Sequence, residues 1–293
     1  MREGFSSPAS NWLHMRILVT GAAGRIGSVV VQELISQGFE VRACDLQRRR
    51  VGNVSVLAAD LMHPAEVFEL ISGCDGVIHL AAIPAGGIAT EGETLRRNVT
   101  TSLNVLEAAR HARVGHVVLA SSVQASGIPQ RTQYVVCALP FDESQTPQPA
   151  GSYGLSKRLL EEAAIHYHRW TGMSIVNLRF VGVRTEPAEP LPLPDQPPAE
   201  VHPSDRAHLF SHVHVLDVAQ ACCRAVVTDG LAGEACFITG PDTTRPEASE
   251  DLASAHFPDV PLRGRLTGRE SLISYRLASD LFGYAPTHRY YAG

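Results

Sequence analysis

The 293-residue chain has no apolar run approaching the roughly 18 uncharged residues of a membrane span. Its N-terminus lacks the charged-then-apolar pattern of a secretory signal, so the expected compartment is the cytoplasm. Charge is sparse too: charged residues make up 19% of the chain, the net charge is -5, and Arg48-Arg49-Arg50 is the one basic run. Without a basic field to meet a phosphate backbone, no nucleic-acid partner is expected, and no membrane partner either. The six cysteines, Cys44, Cys74, Cys137, Cys222, Cys223 and Cys236, form no CxxC pair, which fits reduced thiols with no assigned chemistry. The thirteen histidines supply no HExxH. In a strand, His212 and His214 would share a face, and with Asp217 nearby they could form a metal site. Pocket-rim or structural histidines are the preferred reading, and no metal is expected.

What is present is enough apolar surface, 44% of residues, for one large α/β domain or a domain with a smaller lobe. Residues 1–14 lack periodicity and are expected to be a disordered extension. From Met15, short apolar runs alternate with helical periodicities. Strands are predicted at 16–20, 39–45, 54–60, 76–82, 116–121 and 174–180. Helices are predicted over about 25–37, after Pro64, over about 94–112 and from Ser152 onward. This alternation predicts an α/β fold with a doubly wound parallel sheet of the Rossmann type. Residues 15–180 form the dinucleotide-binding domain in this reading, and 181–293 a small C-terminal substrate lobe with some return to the sheet. Seven prolines between 187 and 203 exclude regular structure there, leaving a surface loop or a lid. Beyond it a strand feeds a helix with Asp217 near its start, where a carboxylate suits free N–H groups; a strand near 235–240 and helices near 247–255 and 270–282 follow.

The first strand runs into Thr20-Gly-Ala-Ala-Gly-Arg-Ile-Gly27, with Gly21, Gly24 and Gly27 spaced GxxGxxG. Glycines allow a tight turn and close approach to a pyrophosphate, and the helix opened by Arg25 and Ile26 favours the anion. Asp45, ending the second strand, is placed to accept hydrogen bonds from the adenosine ribose, which favours NAD over NADP; Arg48 to Arg50 just beyond are the feature that favours NADP. Asp60 and Leu61 are placed to flank the adenine. Tyr153 and Lys157 stand four apart on a helix, so a phenol and an ammonium share one face as a proton-transfer device.

The glycine spacing, HLAA (79–82), NVTTSLNVLEAA (98–109), ASSVQASG (120–127), YGLSK (153–157) and HVLDVAQA (214–221) together resemble the extended short-chain dehydrogenase/reductase family, in its NAD-dependent epimerase/dehydratase branch. The resemblance implies that Tyr153 is the general acid/base, that Lys157 lowers its pKa and holds the nicotinamide ribose, and that Ser122 orients the substrate, with Ser121 the neighbouring alternative. It implies that Leu80, Ala81 and Ala82 line the nicotinamide side and that Asn98 stands on the helix behind the site. It further implies an oxidoreductase or epimerase acting on a sugar, sugar acid or nucleotide sugar, and a homodimer through the helices near 94–112 and 152–171. Where the family commonly has an aromatic, Arg25 stands and can reach the pyrophosphate. Val181-Gly-Val-Arg184 replaces the usual Tyr-Gly-Pro segment, which leaves the substrate contacts open, with Arg179, Arg184 and Arg206 as candidate anion contacts. The alternative reading is a redox sensor that binds NAD(P) without turnover.

Overall fold

Parallel strands buried on both faces set the plan of the molecule. The computed structural model describes residues 14–84, 87–128, 136–185, 189–194 and 200–292; the extension expected over 1–14, His14 apart, and much of the proline-rich stretch lie outside them. In chain order the elements are β1 (Arg16–Thr20), α1 (Arg25–Ser36), β2 (Glu40–Asp45), β3 (Arg49–Val51), β4 (Val54–Ala58), α2 (Pro64–Ile71), β5 (Gly76–His79), α3 (Glu91–Ala112), β6 (His116–Ser122), α4 (Val123–Ser126), α5 (Gly151–Thr171) and β7 (Ser174–Phe180). There follow β8 (Val183–Arg184), α6 (Pro203–Ala207), β9 (Val213–His214), α7 (Val215–Ala225), β10 (Ala232–Ile238), α8 (Ser249–His256) and α9 (Arg276–Phe282). The eight-stranded sheet runs β10-β7-β6-β5-β1-β2-β4-β3, and all neighbours pair in parallel except β3 with β4. The expected α/β doubly wound sheet is therefore present, with β10 the part of the C-terminal region that joins it.

Each face of the sheet carries its own core. On one, α1 buries Val30, Val31 and Leu34 at helical spacing against α7 and α9. On the other, Val105, Leu106 and Ala109 of α3 meet Leu160 and Ala164 of α5. Each fully buried side chain of this size contributes roughly 1.5–3 kcal/mol. Helix α3 is bounded by chemistry legible in its sequence: the Thr90 hydroxyl accepts from the Glu93 N–H, Glu91 and Glu93 sit in the first turn, Arg110 and His111 in the last. A third core, around Phe141, Phe210, Phe237, Leu272 and Ile273, joins residues 139–141 and β10 to the C-terminal segments. No helix among the described residues is long and apolar enough to cross a membrane.

Some elements differ from the expectation. Arg49–Val51 forms an antiparallel edge strand, because Gly52, at φ 55°, turns the chain back onto β4. Two of its three side chains are arginines, which discourages further pairing at that edge. Residues 270–275 are extended, not helical: Phe141 N–H donates to Leu272 at 2.8 Å and Ser274 N–H to Phe141 at 2.8 Å, which draws Leu272 and Ile273 into the third core. Asp217 lies in the first turn of α7, yet it does not cap that helix. The His214 ring takes the Leu216 N–H instead. Asp217 is 1% exposed and accepts the N–H groups of Thr287 and His288, both at 3.1 Å, and the His288 ring at 2.8 Å. Asp242 similarly takes the Tyr290 N–H at 3.0 Å. These two buried carboxylates tie the C-terminal tail to the body.

Replacing Asp217 with Ala leaves two tail amides without their acceptor, and the expected cost is about 2–3 kcal/mol. A lowered urea midpoint checks this; a midpoint equal to that of the unaltered protein refutes it.

Candidate active site

Strand order reverses between β1 and β5, and a crevice opens outside the carboxyl ends of the strands at that point. The cleft found there, of about 350 Å³, is lined among others by Gly21, Gly24, Asp45, Leu46, Asp60, Leu61, Leu80, Ala81, Ala82, Ile83, Arg97 and Asn98. Its floor depends on Gly27, where an added Cβ would sit 2.1 Å from the Gly21 carbonyl oxygen. The loop folds that tightly against its own helix, and α1 begins with no side-chain cap and no acidic residue in its first turn. Free N–H groups without a protein anion suit a diphosphate. At the end of β2, Asp45 accepts the Ala23 N–H at 3.0 Å and the Leu46 N–H at 2.7 Å, so its carboxylate braces the loop at the cleft wall. The residues present thus fit a dinucleotide.

Other expected cofactor contacts divide. Arg25 is exposed and does not line the cleft, Ile26 packs on the core beside α1, and Gly27 acts through its backbone. Asp60 is gripped by Arg97 Nη2 at 3.1 and 3.2 Å. Burial works against its charge, but the Met62 N–H and Arg97 together hold its carboxyl below the ordinary value. Arg48 lines a different cleft, near Arg42 and Leu57, on the edge of the sheet.

Behind Ala81 runs a buried polar chain. Thr20 Oγ1 meets His79 Nδ1 at 2.8 Å, His79 Nε2 meets Ser102 Oγ at 3.1 Å, and the Ser102 hydroxyl donates to the Asn98 carbonyl at 2.7 Å. Burial, and then the Lys157 charge, push the His79 imidazole down to about 3, so it serves as a neutral link. The Asn98 side chain takes the Ile83 N–H at 2.8 Å and donates to the Ile83 carbonyl at 3.0 Å and to Ser156 Oγ at 3.3 Å. It thereby joins the β5 loop to α5.

At the other end, Gly154 lets α5 approach α4 so closely that a Cβ would lie 2.7 Å from the Gln124 carbonyl oxygen. This brings Tyr153 beside Ser122, whose hydroxyl acts to lower the pKa of the phenol. Ser121 points away, donating to Glu161 at 2.7 Å, so the geometry separates the two serines. Lys157 Nζ is buried, donates to the Ala120 carbonyl at 2.7 Å and lies 5.6 Å from the Tyr153 ring centre. Burial dominates both pKa values of the pair. It holds the Tyr153 phenol above its ordinary value, and the neighbouring Ser122 hydroxyl opposes this without reversing it. Burial likewise pushes the Lys157 ammonium down to about 8, against the neighbouring Glu161 carboxylate.

Two arginines expected near substrate are engaged elsewhere. Arg179 is buried and holds Glu161 through two bonds of 2.8 Å, and Arg206 donates to the His256 carbonyl at 3.1 Å. Arg184 donates to His212 at 3.2 Å and to the Arg289 carbonyl at 2.7 Å. The histidines considered as metal donors have protein partners: His212 meets Asp242 at 3.1 Å, and His214 stacks on His288 with centroids 4.6 Å apart. Among the described residues no group of three or more His, Cys, Asp or Glu is arranged to hold a metal ion. Thr20, His79, Arg97, Ser102 and Glu161 were not singled out from sequence. One signal was available and unused: Lys157 is the only lysine, the other 24 of the 25 Lys and Arg residues being arginine. A lone lysine marks a position where an amine with a movable pKa is needed and an arginine will not serve.

A family profile for the NAD dependent epimerase/dehydratase family matches residues 17–187. The chain belongs to that family. A UDP-glucose 4-epimerase of Corynebacterium glutamicum is 30% identical over 178 residues, covering 58% of this chain and 51% of its own length. A uronate dehydrogenase of Pseudomonas putida is 31% identical over 171 residues, covering 56% of this chain and 60% of its own length. The match thus spans only about half to three fifths of these relatives. Among solved structures, a UDP-glucose 4-epimerase of Thermotoga maritima with UDP-glucose superposes with a TM-score of 0.66 at 22% identity, over 93% of this chain and 94% of its own. At that identity the likeness is one of fold.

Substituting Gly27 by Ala puts a methyl group against backbone that cannot yield. The expected cost is about 1–3 kcal/mol, read as a lowered thermal midpoint; an unchanged midpoint would contradict the close approach.

Proposed function

We propose that the protein is an NAD-dependent oxidoreductase or epimerase that exchanges a hydride with a carbinol or carbonyl carbon of a sugar, sugar acid or nucleotide sugar. The observation that carries this reading is the grouping of Ser122 and Tyr153 with the sole, buried lysine, beyond a cleft suited to a dinucleotide. The names of the relatives, UDP-glucose 4-epimerase and uronate dehydrogenase, support the substrate class.

When bound, an oxidised nicotinamide would supply the hydride acceptor. Gly21 and the first turn of α1 would hold its diphosphate and Asp45 its adenosine ribose, while Leu80, Ala81 and Ala82 would exclude water from the nicotinamide side. Ser122 orients the substrate oxygen, and Tyr153 takes the hydroxyl proton or returns it. Lys157, kept charged, favours the phenolate. Asp45 at the cleft and Arg48 outside it favour NAD over NADP. Exposed Leu103 on α3 and exposed Leu155, Leu159 and Trp170 on α5 support a homodimer through those two helices.

Tyr153→Phe is expected to lower turnover by about 100-fold or more while NADH still binds in a fluorescence titration. Turnover is read with NAD on a panel that includes UDP-glucose and D-glucuronate. Near-normal turnover of the variant would sink the assignment, and NADH binding by the unaltered protein with no turnover across the panel would favour a sensor. The oxidative rate should fall as pH rises above about 8, where Lys157 loses the charge that supports the phenolate. A profile with no alkaline fall refutes the role of Lys157. NADH should bind more tightly than NADPH by about tenfold, and Asp45→Ala should narrow that gap; equal affinities in the unaltered protein would reverse the cofactor assignment.

A further inference from the structure

We infer that Glu161 is a positioning residue for the proton-transfer pair: it locks α5 onto the strand ends beside Ser122 and presents its negative charge to the Lys157 ammonium from one helical turn away. The inference rests on the acid/base reading of Tyr153 and Lys157 given above.

Glu161 is 1% exposed and takes part in four bonds. It accepts from Ser121 Oγ at 2.7 Å, from Arg179 Nε and Nη2 at 2.8 Å each, and from Arg158 Nη1 at 3.2 Å. Ser121 and Arg179 are direct partners across β6 and β7. One carboxylate therefore pins the helix to both strands at a single rung. One turn earlier, Lys157 pins the same helix to Ala120 of β6 at 2.7 Å. Residues 120 and 121 of the strand are held by 157 and 161 of the helix, and Ser122 and Tyr153 follow on the two elements with no freedom to slip. An apolar pair could seal α5 to the sheet with less desolvation. It could not take the Ser121 hydrogen or face an ammonium with a charge.

The charges around this site leave that task to Glu161. Lys157 is faced by Tyr153 on its own helix, by His79 from β5, which is held neutral, and by Glu161. Glu161 is faced by Arg158, by Arg179 from β7 and by the Cys236 thiol of β10, which burial keeps protonated. Glu143, beyond Arg179, has its carboxyl raised by burial and accepts the Phe237 N–H at 2.8 Å. Without Glu161, Arg179 would face only that reluctant carboxyl, and Lys157 would lose the carboxylate that raises its pKa.

Because Lys157 is the only lysine, protein carrying isotopically labelled lysine gives a single side-chain signal, and its titration can be followed directly by NMR without any substrate. The expected result is a midpoint near 8 in the unaltered protein and a fall of about one unit or more in Glu161→Gln. Glu161→Asp, which restores the charge, should recover most of the shift. If Glu161→Gln fails to fold with Arg179 unpaired, the double variant Glu161→Gln/Arg179→Gln removes that burden and should still show a fall, smaller because a neighbouring cation is lost with the anion. A folded variant whose lysine midpoint matches the unaltered protein overturns the inference. Turnover of Tyr153→Phe on UDP-glucose and D-glucuronate, measured alongside, separates the two readings. Retained turnover removes the acid/base assignment and this inference with it, whereas a dead variant with an unmoved lysine removes only the role of Glu161.

Discussion

The docking of α5 on β6 and β7 is the constraint on which the site depends. A helix held on a sheet by apolar contacts alone can slide by a fraction of a turn at little cost, and a slide of that size would part Tyr153 from Ser122. Here the contact is made by groups that are costly to leave unpaired: a buried ammonium on the Ala120 carbonyl and a buried carboxylate shared by Ser121 and Arg179. Gly154 removes the one side chain that would hold α5 off Gln124. The Asn98 bonds to Ile83 and Ser156 extend the same frame to the cleft.

This frame has an electrostatic consequence. The burial that fixes Tyr153 and Lys157 also disfavours both of their charged forms, the phenolate and the ammonium. At neutral pH the phenol is therefore uncharged while the ammonium, with its pKa near 8, is still largely charged, so the state of the pair follows from burial and not from the helix spacing alone.

The C-terminal region follows a different logic. Its core is built from aromatic and aliphatic side chains of distant segments, and its tail is held by Asp217, which reads in sequence as suited to a helix start, and by Asp242. The arginines that composition offered as anion contacts are largely spent on structure. The family match correspondingly ends at residue 187, before most of this lobe.

Local chemistry was legible because it is written in adjacent residues. A strand, three glycines and a helix specify the loop at 20–27, and a four-residue spacing puts Tyr153 and Lys157 on one face. The sequence by itself determined the sheet class, the order of its main strands and helices, the glycine loop and the pairing of the phenol with the amine. Only the tertiary structure decided which serine faces Tyr153, since Ser121 and Ser122 differ by the face of a strand whose end packs against Glu161. It also decided that Asp217 holds a tail some 70 residues away and that Arg179 pairs with Glu161, because partners so distant in sequence meet only when the sheet assembles. The direction of the pKa shifts was decided there as well, because burial is a property of the packed core and no spacing along the chain encodes it.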